Sequence, residues 1–431
     1  MENLYLGAAR RTITPKVGTC LYGYRPGLVS TSVNDDLTAT VLYFKQGKTE
    51  ALLISVTLAS VREDITNDIF AYSYEKYKIP REHSIMHSIH THSAPNLTGT
   101  YGWGDVDTDY RDEIFIPETL KAIDEAVANA KPAKMAIAHG SSLIGVNRRQ
   151  LIDGTIHLGQ DPDGVFNPKM TILSFVEESG APLANLIHYG AHATGAGANT
   201  EISRDWPGVM IDMLEKESGA LTVFFNGPEG DVGPRLANGL TTGLGDINVA
   251  LRHGAIAGAD AISIFKNMGK YTTPSLTAYS SELKLPLSPR IALDFAKEEH
   301  EKYADCTVNF KGQLEKYYRD VIESYENGYK ELDFISIPQN IIKLGDVAIV
   351  AFPFELFSEI GMKIDKRSDI PHVLSLSNSN GTMGYFATQN ELSRGGYEIT
   401  MTMTSKIQKY REDADRYIVE GTLENLKMTG E

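Results

Sequence analysis

A chain of 431 residues with 42% apolar and 23% charged residues has room for a sizeable core and the composition of a globular rather than a disordered protein. Its formal net charge of −15 argues against nucleic acid or an anionic membrane as a stable partner, since both reward clustered Lys and Arg, and it leaves a small-molecule substrate and a homo-oligomer open. Two cysteines, Cys20 and Cys306, are too few for a disulfide framework or a Cys-rich zinc module, so a metal would have to be held by His and carboxylate groups.

From the N-terminus, Met1 to Pro15 lacks the apolar core of a signal peptide, and no later stretch approaches the roughly 20 apolar residues of a membrane span. A cytoplasmic location is the expectation. Thr38–Phe44 and Glu50–Leu58 are β-rich runs joined by a hairpin at Gly47-Lys48. Asp64–Tyr77 reads as a helix, Ser84–His90 as a strand, and Ile116–Ala130 as an amphipathic helix that stops before Pro132. Met135–Gly140, Met170–Val176, Ala184–His188 and Leu221–Phe225 read as short apolar strands. Beyond Lys270 a helix is expected from Ser288 to about Tyr303 and another over Gly312–Tyr325, between strand-like Ser280–Leu287 and Ile342–Phe352. This alternation predicts an α/β fold of mixed α+β layers, one domain over 1–431 with a helical pair at about 288–330 that reads equally as an inserted subdomain or lid and as a solvated helical hairpin.

Eleven histidines occur, four of them between His83 and His92. In an extended segment positions two apart share a side, so His90 and His92 can face one cavity at a strand end. An HxH triplet alone equally suits two loop histidines satisfied by hydrogen bonds. His192 sits where a strand ends in a Gly/Ala-rich loop, with His188 four residues earlier as an alternative ligand. The turn Gly227–Arg235 presents Asp231 and backbone N–H groups, or is only a sharp turn. Glu355 follows an apolar strand between Phe354 and Leu356, a place where a carboxylate needs a partner.

Taken together and in order, these segments resemble the catalytic domain of the neutral, non-lysosomal ceramidase family. The resemblance is carried by Gly7–Pro15 (GAARRTITP), HTHSAP at His90–Pro95, Val146-Asn147-Arg148-Arg149, AHAT at Ala191–Thr194 with Ser203–Asp205, PFE at Pro353–Glu355, and Tyr385 and Tyr397 twelve positions apart. It implies that His90, His192, Glu355 and Tyr385 hold one zinc ion. It implies further that His92, Arg148 and Tyr397 surround the substrate carbonyl, with Asp231 and Gly233 bordering the substrate. Two departures stand out. Gly233 occupies the position of a serine held to be essential in that family, and the chain stops at Glu431, without the family's C-terminal β-sandwich.

The chemistry is coherent in its own terms: zinc takes N and O ligands, keeps a position open for water and lowers that water's pKa to about 7. With that chemistry, the resemblance implies hydrolysis of an amide bond by zinc-activated water, and the two departures point to a small soluble substrate rather than ceramide. An ester or lactone hydrolase of the same fold, or a non-catalytic metal-containing binding protein, is the alternative. Metallo-β-lactamase-like and TIM-barrel amidohydrolase sites also begin with HxH. The first expects Asp-His soon after, where Ser93-Ala94-Pro95-Asn96 stands, and the second expects the triplet near the first strand.

Overall fold

The computed structural model describes residues 2–403 and 406–428. Its centre is an eight-stranded mixed sheet, in spatial order Leu221–Asn226, Pro182–Tyr189, Lys169–Glu177, Lys131–Ser141, Leu4–Thr12, Thr38–Gln46, Thr49–Val56 and Ser84–Ser88. Period-2 alternation decides what each face touches. On Thr38–Gln46, Leu42 and Phe44 enter a core shared with a second, four-stranded sheet (Leu276–Pro286, Phe334–Leu344, Val347–Ala351, His372–Leu376). Val41 and Tyr43 on the same strand point the other way, toward helices Glu63–Tyr77 and Ile116–Ala128. Trp206 and Met210 of helix Asp205–Ser218 and Ala257 and Ala261 of helix Ile247–Phe265 cover the rest of that face. Helices Ser358–Arg367 and Ala414–Lys427 cover the outside of the smaller sheet. The result is a helix, sheet, sheet, helix stack, as mixed α/β layers require; each Phe or Leu buried between the layers contributes about 1.5–3 kcal/mol.

The expected strands and helices up to Phe225 are present within a few residues, and Gly47 turns the first hairpin at φ 58°. Three expectations need correction. The strand at 84–90 ends at Ser88, because His90 is left-handed with φ 66° and cannot continue a pleat. The run 342–352 is not one strand: Phe334–Leu344 and Val347–Ala351 pair antiparallel across a two-residue turn in which Gly345 has φ 58°. The helix expected from Ser288 is confined to Leu293–Glu301, because Ser288 N is engaged by the Lys409 carbonyl at 2.8 Å and Leu287 bridges to Tyr410. The second helix of that region runs over Asn309–Glu326. Among the described residues no helix is long and apolar enough to cross a membrane.

Candidate metal centre

The chain ends of several strands converge on one point beside the sheets. Ser84–Ser88 is followed by His90, whose left-handed backbone costs on the order of 1 kcal/mol or more and persists only if its surroundings fix it. They do: its N–H donates to the Leu58 carbonyl at 2.9 Å and its ring Nδ1–H to the Ala59 carbonyl at 2.8 Å. A carbonyl can only accept, so Nδ1 carries a proton and Nε2 is the ring atom turned toward the site.

His192 follows Pro182–Tyr189 and is held in the same manner. Its N–H donates to the Val232 carbonyl at 3.0 Å, and its ring Nδ1–H to the carbonyls of Glu229 and Val232 at 2.8 and 3.1 Å. Its own carbonyl accepts from Trp206 Nε1 at 2.9 Å. The Asp205 carboxylate accepts from the backbone N–H groups of Gly195 and Ala196, which fixes the Gly/Ala-rich loop. This accounts for the Ser203–Asp205 segment.

Glu355 comes from the far side, on a two-residue strand paired in parallel with Tyr385–Phe386, Glu355 beside Tyr385. Its Oε2 lies 3.1 Å from His192 Nε2 and 3.5 Å from His90 Nε2. The ligand atoms of His90, His192 and Glu355 all fall within 4.8 Å of one another. Burial alone would push the Glu355 carboxyl up, but His90, His192 and a hydrogen bond from Tyr385 outweigh it and hold the carboxyl well below its ordinary range. Burial, followed by the charge of Arg148, draws His192 down to about 4. Both Nε2 atoms therefore turn toward a single Glu355 carboxylate oxygen. A divalent cation could take all three atoms as ligands, and the observed 3.1 and 3.5 Å separations bracket the edge, about 3.3 Å, of a tetrahedron with zinc–nitrogen bonds of about 2.0–2.1 Å. Each imidazole anchored through Nδ1–H on a carbonyl is the arrangement by which proteins orient metal-binding histidines.

Tyr385 adjoins the three. Burial and the Glu355 charge raise its pKa well above the ordinary tyrosine value, so it is a phenol that donates to Glu355 while accepting from Arg148 Nη2 at 3.0 Å. Arg148 also donates through Nε to Glu398 at 2.7 Å, and Arg149 Nη1 to the other Glu398 oxygen at 2.8 Å. Arg148 therefore combines a buried ion pair with Glu398 and a bond to a predicted site residue, Tyr385. Tyr397 packs edge-on against Tyr385, ring centroids 5.9 Å apart.

His92 stands beside the trio, its Nε2 3.2 Å from His90 Nε2. Its approach does not come from strand periodicity, since His90 is not extended. It depends on Gly23, at φ 122°, where an added Cβ would fall 2.4 Å from His92 Cγ. Burial, then His90 and His192, hold the His92 pKa well below its ordinary value, and its buried Nδ1 has no hydrogen-bond partner.

A cavity of about 270 Å³ opens over His90, His92, Glu355, Tyr385 and Tyr397. A larger cleft of about 700 Å³, lined by Asp105, Asp109 and Glu113 among others, contains none of the predicted site residues. Neither Asp231 nor Gly233 lines the smaller cavity. The Asp231 carboxyl, raised to about 7 by burial, accepts from Ser358 N and Oγ at 2.7 and 3.1 Å, and its carbonyl accepts from Arg148 N. Beside Gly233, a Cβ would fall 2.4 Å from Thr241 Cβ and 3.1 Å from its Oγ1, so Thr241 fills that space. His188 is likewise removed from the trio, its Nε2 bonded to the Ser375 carbonyl at 2.9 Å. Sequence reasoning gave no role to Glu398, and overlooked Gln313 and Lys406, which line the cavity. The Glu398 carboxylate, directly after Tyr397 and required to pair with two successive arginines, was the only one of these with a readable signal.

No protein-family model matches the chain, and no curated protein is similar to it in sequence. Among solved structures it is similar to neutral ceramidase from Pseudomonas aeruginosa, with 16% identity and a TM-score of 0.76 over 100% of this chain and 76% of that one. It is also similar to a ceramidase complexed with C2, with 16% identity and a TM-score of 0.71 over 98% of this chain and 75% of that one. At this identity the likeness establishes the fold, a neutral-ceramidase-like α/β architecture.

Proposed function

We propose that this chain is a zinc-dependent hydrolase of amide bonds, with His90, His192, Glu355 and Tyr385 holding the ion and His92, Arg148 and Tyr397 serving the reaction. The reading rests chiefly on the meeting of two Nδ1-anchored imidazoles, each turning Nε2 inward, with one carboxylate oxygen beside a cavity. The ceramidase likeness of the fold adds the bond type. A zinc ion at such a place supplies a water acidified to about pKa 7 and polarises a carbonyl.

The protein's own groups do the rest. His92 is neutral at pH 7, so its imidazole can take a proton at the cavity face. Because its pKa is held low, the imidazolium readily returns that proton to a leaving amine. Tyr397 lines the cavity as a phenol, its pKa raised by burial and then by Glu355, and donates to a developing oxyanion. Arg148 acts through Tyr385: its Nη2 fixes the phenol oxygen, and a cation is required before that phenol becomes a good ligand. Gly233 has no hydroxyl, and Thr241 closes the space beside it, so a nucleophilic side chain at 233 plays no part.

The test is turnover of N-acyl and ester substrates by protein stripped of metal and reloaded with zinc. Hydrolysis that appears only with the ion supports the reading; zinc-loaded protein inert toward amides and esters favours a metal-containing binding protein instead.

A further inference from the structure

Away from the metal ligands in sequence, the cavity lining includes Gln313 from helix Asn309–Glu326, Trp103 from the loop before Thr108, and Lys406 from the stretch before the C-terminal helix. Lys406 Nζ is buried, makes no hydrogen bond or ion pair among the described residues, and lies 5.0 Å from the centroid of the Tyr410 ring. Gln313 Oε1 is buried and equally without a partner. Leaving an ammonium and an amide oxygen unsatisfied is costly, and both of these groups line the same cavity.

Charge accounting sharpens this. The charged groups lining the cavity are Glu355 and Lys406. Glu355 is spoken for by His90, His192 and Tyr385, and Arg148 by Glu398 and Tyr385. Lys406 is the cation left over. Burial lowers its pKa to about 8, so it remains mostly charged at pH 7.

From the pairing of these two orphaned groups we infer that the substrate is a compact N-acyl compound carrying a carboxylate, such as an N-acylated amino acid, its carboxylate on Lys406 and its amide N–H on Gln313 Oε1. A single ammonium, with no arginine lining the cavity, matches a monoanion better than a phosphate dianion. A volume of about 270 Å³, the space of about nine waters, is enough for such a molecule. This inference rests on the hydrolase reading for the bond cleaved, but the binding preference stands apart from it.

The experiment compares N-acetylglycine with its neutral isostere N-acetylglycinamide, by calorimetric binding and by hydrolysis, on zinc-loaded wild type, Lys406→Met and Gln313→Leu. Wild type is expected to bind the acid at least 10-fold more tightly than the amide. Lys406→Met loses about 10- to 100-fold toward the acid and changes little toward the amide. Gln313→Leu weakens both by several-fold. Because Lys406→Met removes an unpaired buried charge, it is expected to melt no lower than wild type, which separates lost recognition from lost folding. Lys406-dependent binding without hydrolysis overturns the hydrolase reading and supports this one. Hydrolysis or binding that does not discriminate acid from amide, equal losses toward both in Lys406→Met, or no binding of either ligand overturns the inference.

Discussion

The two sides of the cavity are built on opposite terms. On the metal side every ring and carboxylate of the trio has its orientation fixed: His90 Nδ1 on the Ala59 carbonyl, His192 Nδ1 on the Glu229 carbonyl, Glu355 beside Tyr385 in a strand pair. What remains there is a set of converging donor atoms. Elsewhere on the cavity lining Lys406 Nζ and Gln313 Oε1 have no hydrogen-bond partner among the described residues. On the proposed reading the first set holds an ion and the second takes the polar atoms of a ligand.

The variants that break this division follow in decreasing order of effect. His192→Ala removes a ligand and leaves the Glu355 charge facing His90 alone, so turnover is expected to fall below detection while the far wall still binds an acid weakly; steady-state assays and calorimetry check both. Tyr397→Phe keeps the trio intact and is expected to slow turnover by about 10²-fold with zinc still bound, the usual cost of deleting an oxyanion donor. Unchanged kcat in this variant would remove Tyr397 from the reaction.

Gly233→Ser tests how tightly the floor is packed. The new Cβ meets Thr241, so a loss of about 1–3 kcal/mol is expected in denaturant unfolding, and Gly233→Ser combined with Thr241→Ala is expected to recover most of it. Equal stability of the single variant and wild type would show that Thr241 yields freely. The smallest effect near neutral pH, growing only on acidification, concerns His188, drawn by burial to about 4 while its Nε2 ties the two sheets together at the Ser375 carbonyl. Its ring stays neutral in the fold, whereas in the unfolded chain, with a pKa near 6.5, it takes up a proton. Its contribution to stability is therefore whole above about pH 6.5 and is lost as pH falls toward 4. Relative to His188→Gln, wild type is expected to lose about 1.4 kcal/mol per pH unit across that window, measured by urea unfolding.

The same contrast runs through what could be read from the sequence. The metal side was legible because its groups end regular elements: His90 after an apolar strand, His192 at the start of a Gly-rich loop, Glu355 after Val347–Ala351. Even so, the reason given for pairing His90 with His92 was wrong in detail. The two rings meet, with centroids 5.0 Å apart, through a left-handed residue and a glycine at 23, neither of which period-2 reasoning contains. The run at 342–352 was misread because two apolar strands abut across Gly345-Asp346 with no polar break between them. Lys406 and Gln313 carried no signal. One lies in an irregular segment and the other on a largely polar helix, and only tertiary packing brings them to one cavity. Thr241 was silent for the same reason: what matters about it is the volume beside Gly233.

The central claim is that His90, His192, Glu355 and Tyr385 form one zinc site, and metal content measures it most directly. Purified wild type, dialysed against zinc and then against metal-free buffer, is expected to retain one zinc per chain by elemental analysis, while folded His192→Ala retains none. Folded wild type that retains no zinc, or His192→Ala that retains it in full, would contradict the account.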